Sequence, residues 1–277
     1  MKPASVQPVD IVRVDGRTRE ATVDSVAVER PLEVRVDGEP FSVIMRTPGD
    51  DEHLAVGFLV SEGVLDARSD LARITADGDV VDVHLSAGRA GQGASLAAAR
   101  RQVTTNSSCG MCGRVSLDQV DRDAPALEVA WTVDPAVVAG LPGRLAAHQP
   151  AFDETGGLHA AALATLTGEI EASAEDVGRH NAVDKLIGRM WMTRRVPLGG
   201  VILVVSGRLS FEIVQKAWIG GIPMIVAVSA PSSLAVDLAV RAGMTLAGFT
   251  RDGRFNVYAG EERVPGRPGL GLHGRRP

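Results

Sequence analysis

The sequence of 277 residues predicts an α/β protein. Residues 201–205 and 222–228 are β-branched apolar runs of the kind found in strands buried on both faces. Between them, Ser210 can cap a helix that ends near Gly220. Hydrophobic residues make up 45% of the chain and aromatic residues only 4%, so the core must be built from Val, Leu, Ile and Ala. These features indicate a β-α-β unit with parallel strands.

The N-terminal half is predicted from its turns. Asp-Gly pairs separate extended stretches, so hairpins are expected over residues 27–46 and 71–85. The chain ends, residues 1–10 and 260–277, are rich in Pro, Gly and charged residues without periodicity. We therefore expect a flexible tail at each end.

Acidic residues precede an apolar stripe after the first hairpin, which predicts a helix over residues 51–60. Small residues over 87–93 read as a linker. The predicted organisation is a β-rich subdomain over residues 11–125, which ends in a cysteine-containing loop, and an α/β subdomain over residues 126–259.

In the second subdomain a helix over residues 234–242 and a hairpin over residues 245–258 complete the pattern. The two central strands each end in small or polar residues, and ligands of open α/β sheets sit at such carboxyl ends. The candidate residues there are Ser206, Gly207, Arg208 and Ser229.

The net charge of −5 gives no general attraction to nucleic acid, so nucleic acid is not expected as a partner. No apolar stretch reaches the length needed to span a bilayer, and the N-terminus lacks the pattern of a secretion signal. The sequence therefore predicts a cytoplasmic protein without a membrane partner.

The two cysteines of the chain, Cys109 and Cys112, are three positions apart in a segment of small and polar residues. Zinc binding would need two further ligands, such as His159, His180 or a carboxylate. A thioredoxin-like redox role would need a strand-to-helix junction. Persulfide carriage needs one nucleophilic thiolate and is helped by a second thiol. The segment alone does not separate these three chemistries, and no resident metal is predicted.

Two further clusters contain functional side chains. The turn formed by Thr155, Gly156 and Gly157 is followed by an Ala-rich segment read as a helix, with His159 at its start; such a helix N-terminus would present N–H groups to an anion. Residues 175–188 form a second cluster, and on a helix two pairs of its polar residues would lie one turn apart on one face, open either to a phosphate-bearing ligand or to solvent. The two pairs are His180 with Asp184 and Asn181 with Lys185.

These segments together resemble the FdhD/NarQ family of formate dehydrogenase accessory sulfurtransferases. The resemblance spans residues 28–258 in the family's order. The matching motifs are residues 46–51, 107–113, 155–161, 175–185, 205–208 and 227–233.

The resemblance implies a sulfur carrier that takes sulfur from a cysteine desulfurase and passes it to the molybdenum cofactor, bis(molybdopterin guanine dinucleotide), of formate dehydrogenase. Cys109 would hold the persulfide and Cys112 would assist. A guanine nucleotide is expected to mimic the cofactor near Ser206 and Ser229. A homodimer is implied as well. The cofactor segment of the family resembles Phe249, Thr250, Arg251, Asp252, Gly253 and Arg254.

The family is also similar to the cytidine deaminases, which implies a three-layer fold with the β-rich subdomain added at the N-terminus. A zinc deaminase needs a His-x-Glu motif before its cysteine pair. Here His159 is followed by two alanines, and the cysteines precede it. Deamination is therefore disfavoured on chemistry. A cofactor-binding chaperone that does not need its thiols is the other alternative.

Overall fold

The computed structural model describes residues 5–90, 125–193 and 195–266. The predicted sulfur-carrying residues, Cys109 and Cys112, lie outside these ranges. The same is true of most of the predicted C-terminal tail. The fold is described from the remaining residues.

The described chain contains strands and helices in an order that agrees with an α/β protein. The strands are β1 (Val6–Asp15), β2 (Thr18–Ala27), β3 (Arg30–Val36), β4 (Glu39–Arg46), β5 (Leu71–Asp77), β6 (Val80–Leu85), β7 (His159–Ala164), β8 (Ile170–Asp176), β9 (Ile202–Val205), β10 (Met224–Ala227), β11 (Thr245–Arg251) and β12 (Arg254–Ala259). The helices are α1 (Asp51–Glu62), α2 (Ala87–Ala90), α3 (Pro135–Ala146), α4 (Pro150–Thr155), α5 (Arg179–Met192), α6 (Phe211–Ile219) and α7 (Ser233–Arg241).

The main sheet has six strands in the order β12-β11-β10-β9-β7-β8. Strands β9, β10 and β11 run parallel, whereas β7, β8 and β12 are each antiparallel to a neighbour. The predicted β-α-β unit is confirmed, because β9, α6 and β10 follow one another and the two strands pair in parallel.

Helices cover both faces of the main sheet, and alternate side chains of β7 pack against one face and then the other. Ala160 and Ala162 of β7 belong to the core cluster that includes Leu141 of α3. Ala161 and Leu163 belong to the opposite cluster, which contains α5, α6 and α7. Successive side chains of a strand point to opposite faces, so short alanines let a helix approach on each side. The α/β fold class with helix, sheet and helix layers is confirmed.

The N-terminal sheet has four strands in the order β4-β3-β6-β5 and lies over α1. Its buried residues, such as Leu32, form one continuous core with Leu54 of α1 and Val183 of α5. The predicted hairpins and the helix after them are therefore confirmed. The division at residue 125 stays a prediction, and the two parts share one core.

Helices α1 and α5 cross at very close range. A Cβ atom built on Gly57 would lie 1.9 Å from the backbone oxygen of Asp184. A Cβ atom on Gly188 would lie 1.9 Å from the backbone oxygen of His53. The crossing therefore depends on the absence of side chains at both glycines.

Three sequence-based expectations are corrected. The tail predicted over residues 1–10 is wrong from Val6 onward, because these residues pair with β2 over the whole length of β1. The tail predicted from residue 260 begins too early, since Arg263 ends a 3-10 turn and is itself buried. The Ala-rich segment after Gly157 is strand β7 and not a helix; burial in the sheet overrides the helix preference of alanine.

Strands β1 and β2 form a separate two-stranded ribbon. Its valines are largely solvent-exposed, for example Val14 at 61%. The linker predicted over residues 87–93 includes the short helix α2. No helix in the described ranges is long and apolar enough to cross a membrane.

Candidate functional site

One edge of the main sheet collects most of the predicted site residues. Strands β9, β10 and β11 have their carboxyl ends there, followed by Ser206 and, one residue beyond Val228, Ser229. Because β7 is antiparallel to β9, His159 at the start of β7 lies at the same edge. Asp176 at the end of β8 is its register partner. The structure therefore brings these predicted residues together at one edge of the sheet, and ligand binding there stays a prediction.

Positive side chains gather around Gly207. A Cβ atom built on Gly207 would lie 3.4 Å from Arg179 Cδ and 3.5 Å from His159 Nδ1. Burial lowers the pKa of His159, and the nearby charges of Arg179, His180 and Arg208 lower it further. His159 is therefore held toward its neutral form beside the guanidinium groups of Arg179 and Arg208, and the Asp176 carboxylate opposes this shift of the pKa.

A cleft of about 470 Å³ opens beside this corner. Predicted residues Gly156, Gly157, His159 and Ser206 line it together with apolar side chains such as Phe152. This volume is within the range of sites for small organic ligands. The cleft therefore combines an apolar wall with a polar rim.

The Thr155-Gly156-Gly157 turn differs from the prediction in one respect. It ends helix α4 and leads into a strand, so no helix N-terminus follows it. Thr155 Oγ1 donates to the carbonyl of Ala151 and accepts from the N–H of Gly157. Gly156 has φ 65°, which favours glycine. The expected anion site at a helix start is wrong here, although both glycines do line the cleft.

The predicted cofactor segment, residues 249–254, forms the end of β11 and the turn into β12. Phe249 has φ 52° at an irregularity in the pairing of the two strands, and its N–H donates to the carbonyl of Ser229 at 3.2 Å. Thr250 is fully buried. Arg251 and Arg254 are register partners at the turn and both are exposed. The segment therefore places two exposed arginines at the turn that follows the carboxyl end of β11.

The turn between these arginines, Asp252-Gly253, has left-handed backbone at both positions, with φ 53° and 72°. Two left-handed residues are the signature of a tight hairpin turn that matches strand twist. The predicted closing hairpin is confirmed.

The polar face of α5 is buried in the protein, which corrects the expectation of an open or solvated face. Asp176 is completely buried and lies 2.7 Å from Lys185 Nζ. Asn181 Nδ2 donates to Asp176 and to the carbonyl of Met45, each at 2.8 Å. Burial raises the pKa of Asp176, and the Lys185 ammonium opposes that shift. Asn181 and Lys185 thus point at protein partners, and a direct contact with a ligand stays a prediction.

Asp184 is the next buried acid of α5 and also has protein partners. Lys216 Nζ of α6 lies 2.7 Å from both of its carboxylate oxygens, and Ser61 Oγ of α1 donates to it at 3.0 Å. Burial raises the pKa of Asp184, and Lys216 opposes the rise. The predicted pairing of Asp184 with His180 toward a ligand is replaced by a bridge between three helices.

His180 stands on the first turn of α5 beside α6. Its Nε2 lies 2.9 Å from Glu212 Oε2 and 3.1 Å from Ser210 Oγ. Glu212 and Lys216 were not among the predicted site residues. The available signal was their spacing of four within a helix whose other residues are apolar except Gln215, since buried charged residues require partners.

Metal ligation is not supported within the part of the chain that the structure describes. These residues contain no group of three or more His, Cys, Asp or Glu side chains arranged to hold a metal ion.

Comparison with known proteins gives the family. The model of the FdhD/NarQ family matches residues 27–265. The chain belongs to this family. The sulfur carrier protein FdhD of Streptomyces avermitilis is 49% identical over 272 residues, which cover 92% of this chain and 94% of that protein. The sulfur carrier protein FdhD of Sulfurisphaera tokodaii is 46% identical over 263 residues, 94% of this chain and 99% of the relative.

A solved structure also resembles this FdhD/NarQ protein. It is described as a formate dehydrogenase accessory protein from Desulfotalea psychrophila, with a TM-score of 0.77 and 24% identity over 95% of this chain and all of that chain. This likeness supports the fold. The named relatives support a sulfur-carrier role.

Proposed function

We propose that this protein carries sulfur as a persulfide on Cys109, from a cysteine desulfurase to the molybdenum cofactor, bis(molybdopterin guanine dinucleotide), that activates formate dehydrogenase. The observation that carries the proposal is the identity of 49% to a sulfur carrier protein over 92% of the chain. The coincidence of the chain's two cysteines with the family motif agrees with it. The homodimer and the cytoplasmic location stay predictions.

The transfer can be written so that atoms and electrons balance. The Cys109 thiolate attacks the outer sulfur of the donor persulfide, an S–S bond forms on Cys109, and the donor thiolate leaves. Attack of the Cys112 thiolate on the inner sulfur of Cys109 then releases hydrosulfide and leaves a Cys109–Cys112 disulfide. A cellular dithiol reduces that disulfide for the next cycle. The two cysteine thiols together thus supply the two electrons that convert sulfane sulfur into sulfide, and Cys112 makes this possible by closing the disulfide.

The cofactor is the substrate of this transfer, and the sheet edge has the chemistry to hold its nucleotide. Arg179 and Arg208 lie near His159, and Arg251 and Arg254 lie at the neighbouring strand end. Arginine binds phosphate oxygens through paired donors. The apolar wall of the cleft fits a planar base. We therefore place the guanine nucleotide between the cleft and the ends of β9, β10 and β11.

Mass spectrometry tests the sulfur-carrier proposal. Incubation with a cysteine desulfurase and cysteine should add the mass of one sulfur atom to the wild-type protein, and dithiothreitol should remove it. Cys109→Ala should abolish the gain. Cys112→Ala is the matched control, because it should still gain sulfur but should release less sulfide. An unchanged mass of the wild-type protein would contradict the proposal.

Activity in cells separates the carrier from a cofactor-binding chaperone. Formate dehydrogenase should lose activity when its accessory protein contains Cys109→Ala. Full activity with this variant would favour a chaperone whose thiols are dispensable.

Calorimetry with GDP tests the placement of the nucleotide. We expect Arg208→Gln to weaken binding about ten-fold, the usual effect of losing a hydrogen bond to a charged group. Arg195→Gln is the matched control, because Arg195 pairs with Glu171 near the start of β8, at the opposite edge of the sheet. Equal affinities of both variants would contradict the placement.

A further inference from the structure

We propose that Asp176 is a positioning residue, which together with Lys185 holds the first turn of α5 so that Arg179, beside Gly207, faces the phosphates of the nucleotide. The inference rests on the proposed function, because it concerns how the same anion site is built. Asp176 itself is fully buried, so it would act through the residues that it holds and not by direct contact with the nucleotide.

The contacts of Asp176 join three segments of the chain. One carboxylate oxygen accepts from the N–H of Gly178 and from Asn181 Nδ2, each at 2.8 Å. The other oxygen accepts from the N–H of Thr47 at 3.2 Å and lies 2.7 Å from Lys185 Nζ. The end of β8, the start of α5 and the loop after β4 are thus joined at one side chain.

Two further contacts close the arrangement. Thr47 Oγ1 accepts from the N–H of Val177 at 3.2 Å, and its carbonyl accepts from Lys185 Nζ at 2.9 Å. Gly178, the residue that precedes α5, forms no side-chain cap. The path of the chain into Arg179 is therefore fixed by Asp176 and Thr47 from outside the helix.

The positive charge of Lys185 explains why the Asp176 carboxylate can lie so close to the proposed anion site. His159, which lies at the cationic corner, is the register partner of Asp176 on β7. An isolated carboxylate there would repel a phosphate. The Lys185 ammonium balances that charge at 2.7 Å, so the pair supplies hydrogen bonds without a net negative field.

The experiment compares Asp176→Asn with Lys216→Met, which breaks the other buried ion pair of α5. Two milder variants form a second matched pair. Asn181→Ala removes a donor to Asp176, and Ser61→Ala removes a donor to Asp184. Each protein is studied at a temperature where its thermal transition shows it to be folded.

Two measurements are made on the full chain. In Asp176→Asn, amide hydrogen exchange should accelerate at least about ten-fold more over residues 177–182 than over the rest of α5, whereas in Lys216→Met it should change no more there than over the rest of α5. GDP affinity by calorimetry should fall about ten-fold or more in Asp176→Asn, as for other groups that support ligand-binding residues, and should stay unchanged in Ser61→Ala. Asn181→Ala should give the same pattern with smaller changes.

The outcomes separate the two proposals. Unchanged exchange over residues 177–182 in both Asp176→Asn and Asn181→Ala would overturn the positioning role. Equal losses of GDP affinity in Asn181→Ala and Ser61→Ala would overturn it too, because general destabilisation would then explain both. If the wild-type protein binds no GDP, the nucleotide placement fails, and hydrogen exchange alone decides whether Asp176 fixes this turn.

Discussion

Asp184 and Lys185 are consecutive residues of α5, but they form buried ion pairs on different sides of the helix. Asp184 pairs with Lys216 between α1, α5 and α6, in the interior of the core. Lys185 pairs with Asp176 at the sheet edge, where the loop after β4 meets the start of α5. Two ion pairs of the same chemical type therefore have different roles. The Asp184–Lys216 pair connects helices, and the Lys185–Asp176 pair fixes the backbone next to the proposed anion site.

The two pairs also differ in how well their carboxylates are supported. Asp184 accepts hydrogen bonds from Lys216 and Ser61, whereas Asp176 accepts backbone N–H bonds in addition to those of two side chains. Burying a charge is costly unless hydrogen bonds replace its hydration. The interior pair should therefore depend more on its lysine than the edge pair does.

The largest effect should come from the glycine crossing that lies against the interior pair. Gly57→Ala would place a methyl group against the backbone of Asp184, which only a separation of α1 and α5 can relieve. We expect a loss of about 3 kcal/mol or more in the free energy of unfolding. Gly140→Ala is the control. A Cβ atom built on Gly140, which lies in α3, would meet no atom within 4 Å apart from its chain neighbours and its own helix backbone. Urea denaturation measures the free energy of unfolding of both variants. Equal values would contradict the close contact between α1 and α5.

Loss of the interior lysine should be nearly as severe. Lys216→Met leaves Asp184 buried without its cation, which should cost about 3 kcal/mol at pH 7, the lower end of the range for a broken buried pair, because Ser61 still donates to Asp184. An acid whose pKa is raised by folding binds a proton at a higher pH in the folded state than in the unfolded state. Lys216→Met should therefore be more stable at pH 5 than at pH 8. Lys185→Met should show a weaker pH dependence, since other donors still face Asp176. Chemical denaturation at the three pH values tests this difference.

A third ion pair of α5 lies near the surface and should matter least. Asp50 accepts from Arg189 at 2.9 Å, and the His53 imidazole 3.4 Å away, followed by the charge of Arg189, lowers the pKa of Asp50 to about 2. Stability from this group is present above its unfolded pKa and is lost as the pH falls through the folded value.

Because the Asp50 side chain is 35% exposed, Asp50→Asn should cost less than about 1 kcal/mol at pH 7. Asparagine tolerates the left-handed backbone of this position, φ 56°. The variant should lose less stability than the wild type between pH 4 and pH 2. An equally steep acid transition in both proteins would exclude Asp50 as a contributor.

Much of the fold follows from local patterns in the sequence. The hairpins around Asp37 and Asp77 and the parallel unit around α6 were predicted, because turn residues and apolar runs act over short distances. The segment after Gly157 was misread as a helix. Its alanines favour a helix in isolation, and only the layers on both faces of the sheet make them a strand.

The sequence predicted which residues lie at the site, but not the contacts that Asp184 and Lys185 make with other elements. The motifs gave His159, Ser206 and the arginines of the β11 turn, which the structure brings to one edge. The partners of Asp184 and Lys185 lie on other elements, and the sequence gives no spacing that matches them. Burial of α5 therefore turned a face read as ligand-binding or solvated into a set of internal bonds.

The opposite charges of Asp184 and Lys185 also determine the orientation of α5 about its own axis. A rotation by one residue in one direction would turn Lys185 toward Lys216, and a rotation in the other direction would turn Asp184 toward Asp176. Both misfolded arrangements would bring like charges together in a medium of low polarity. During folding, the adjacent opposite charges therefore disfavour an incorrectly rotated α5 more selectively than the surrounding apolar residues do.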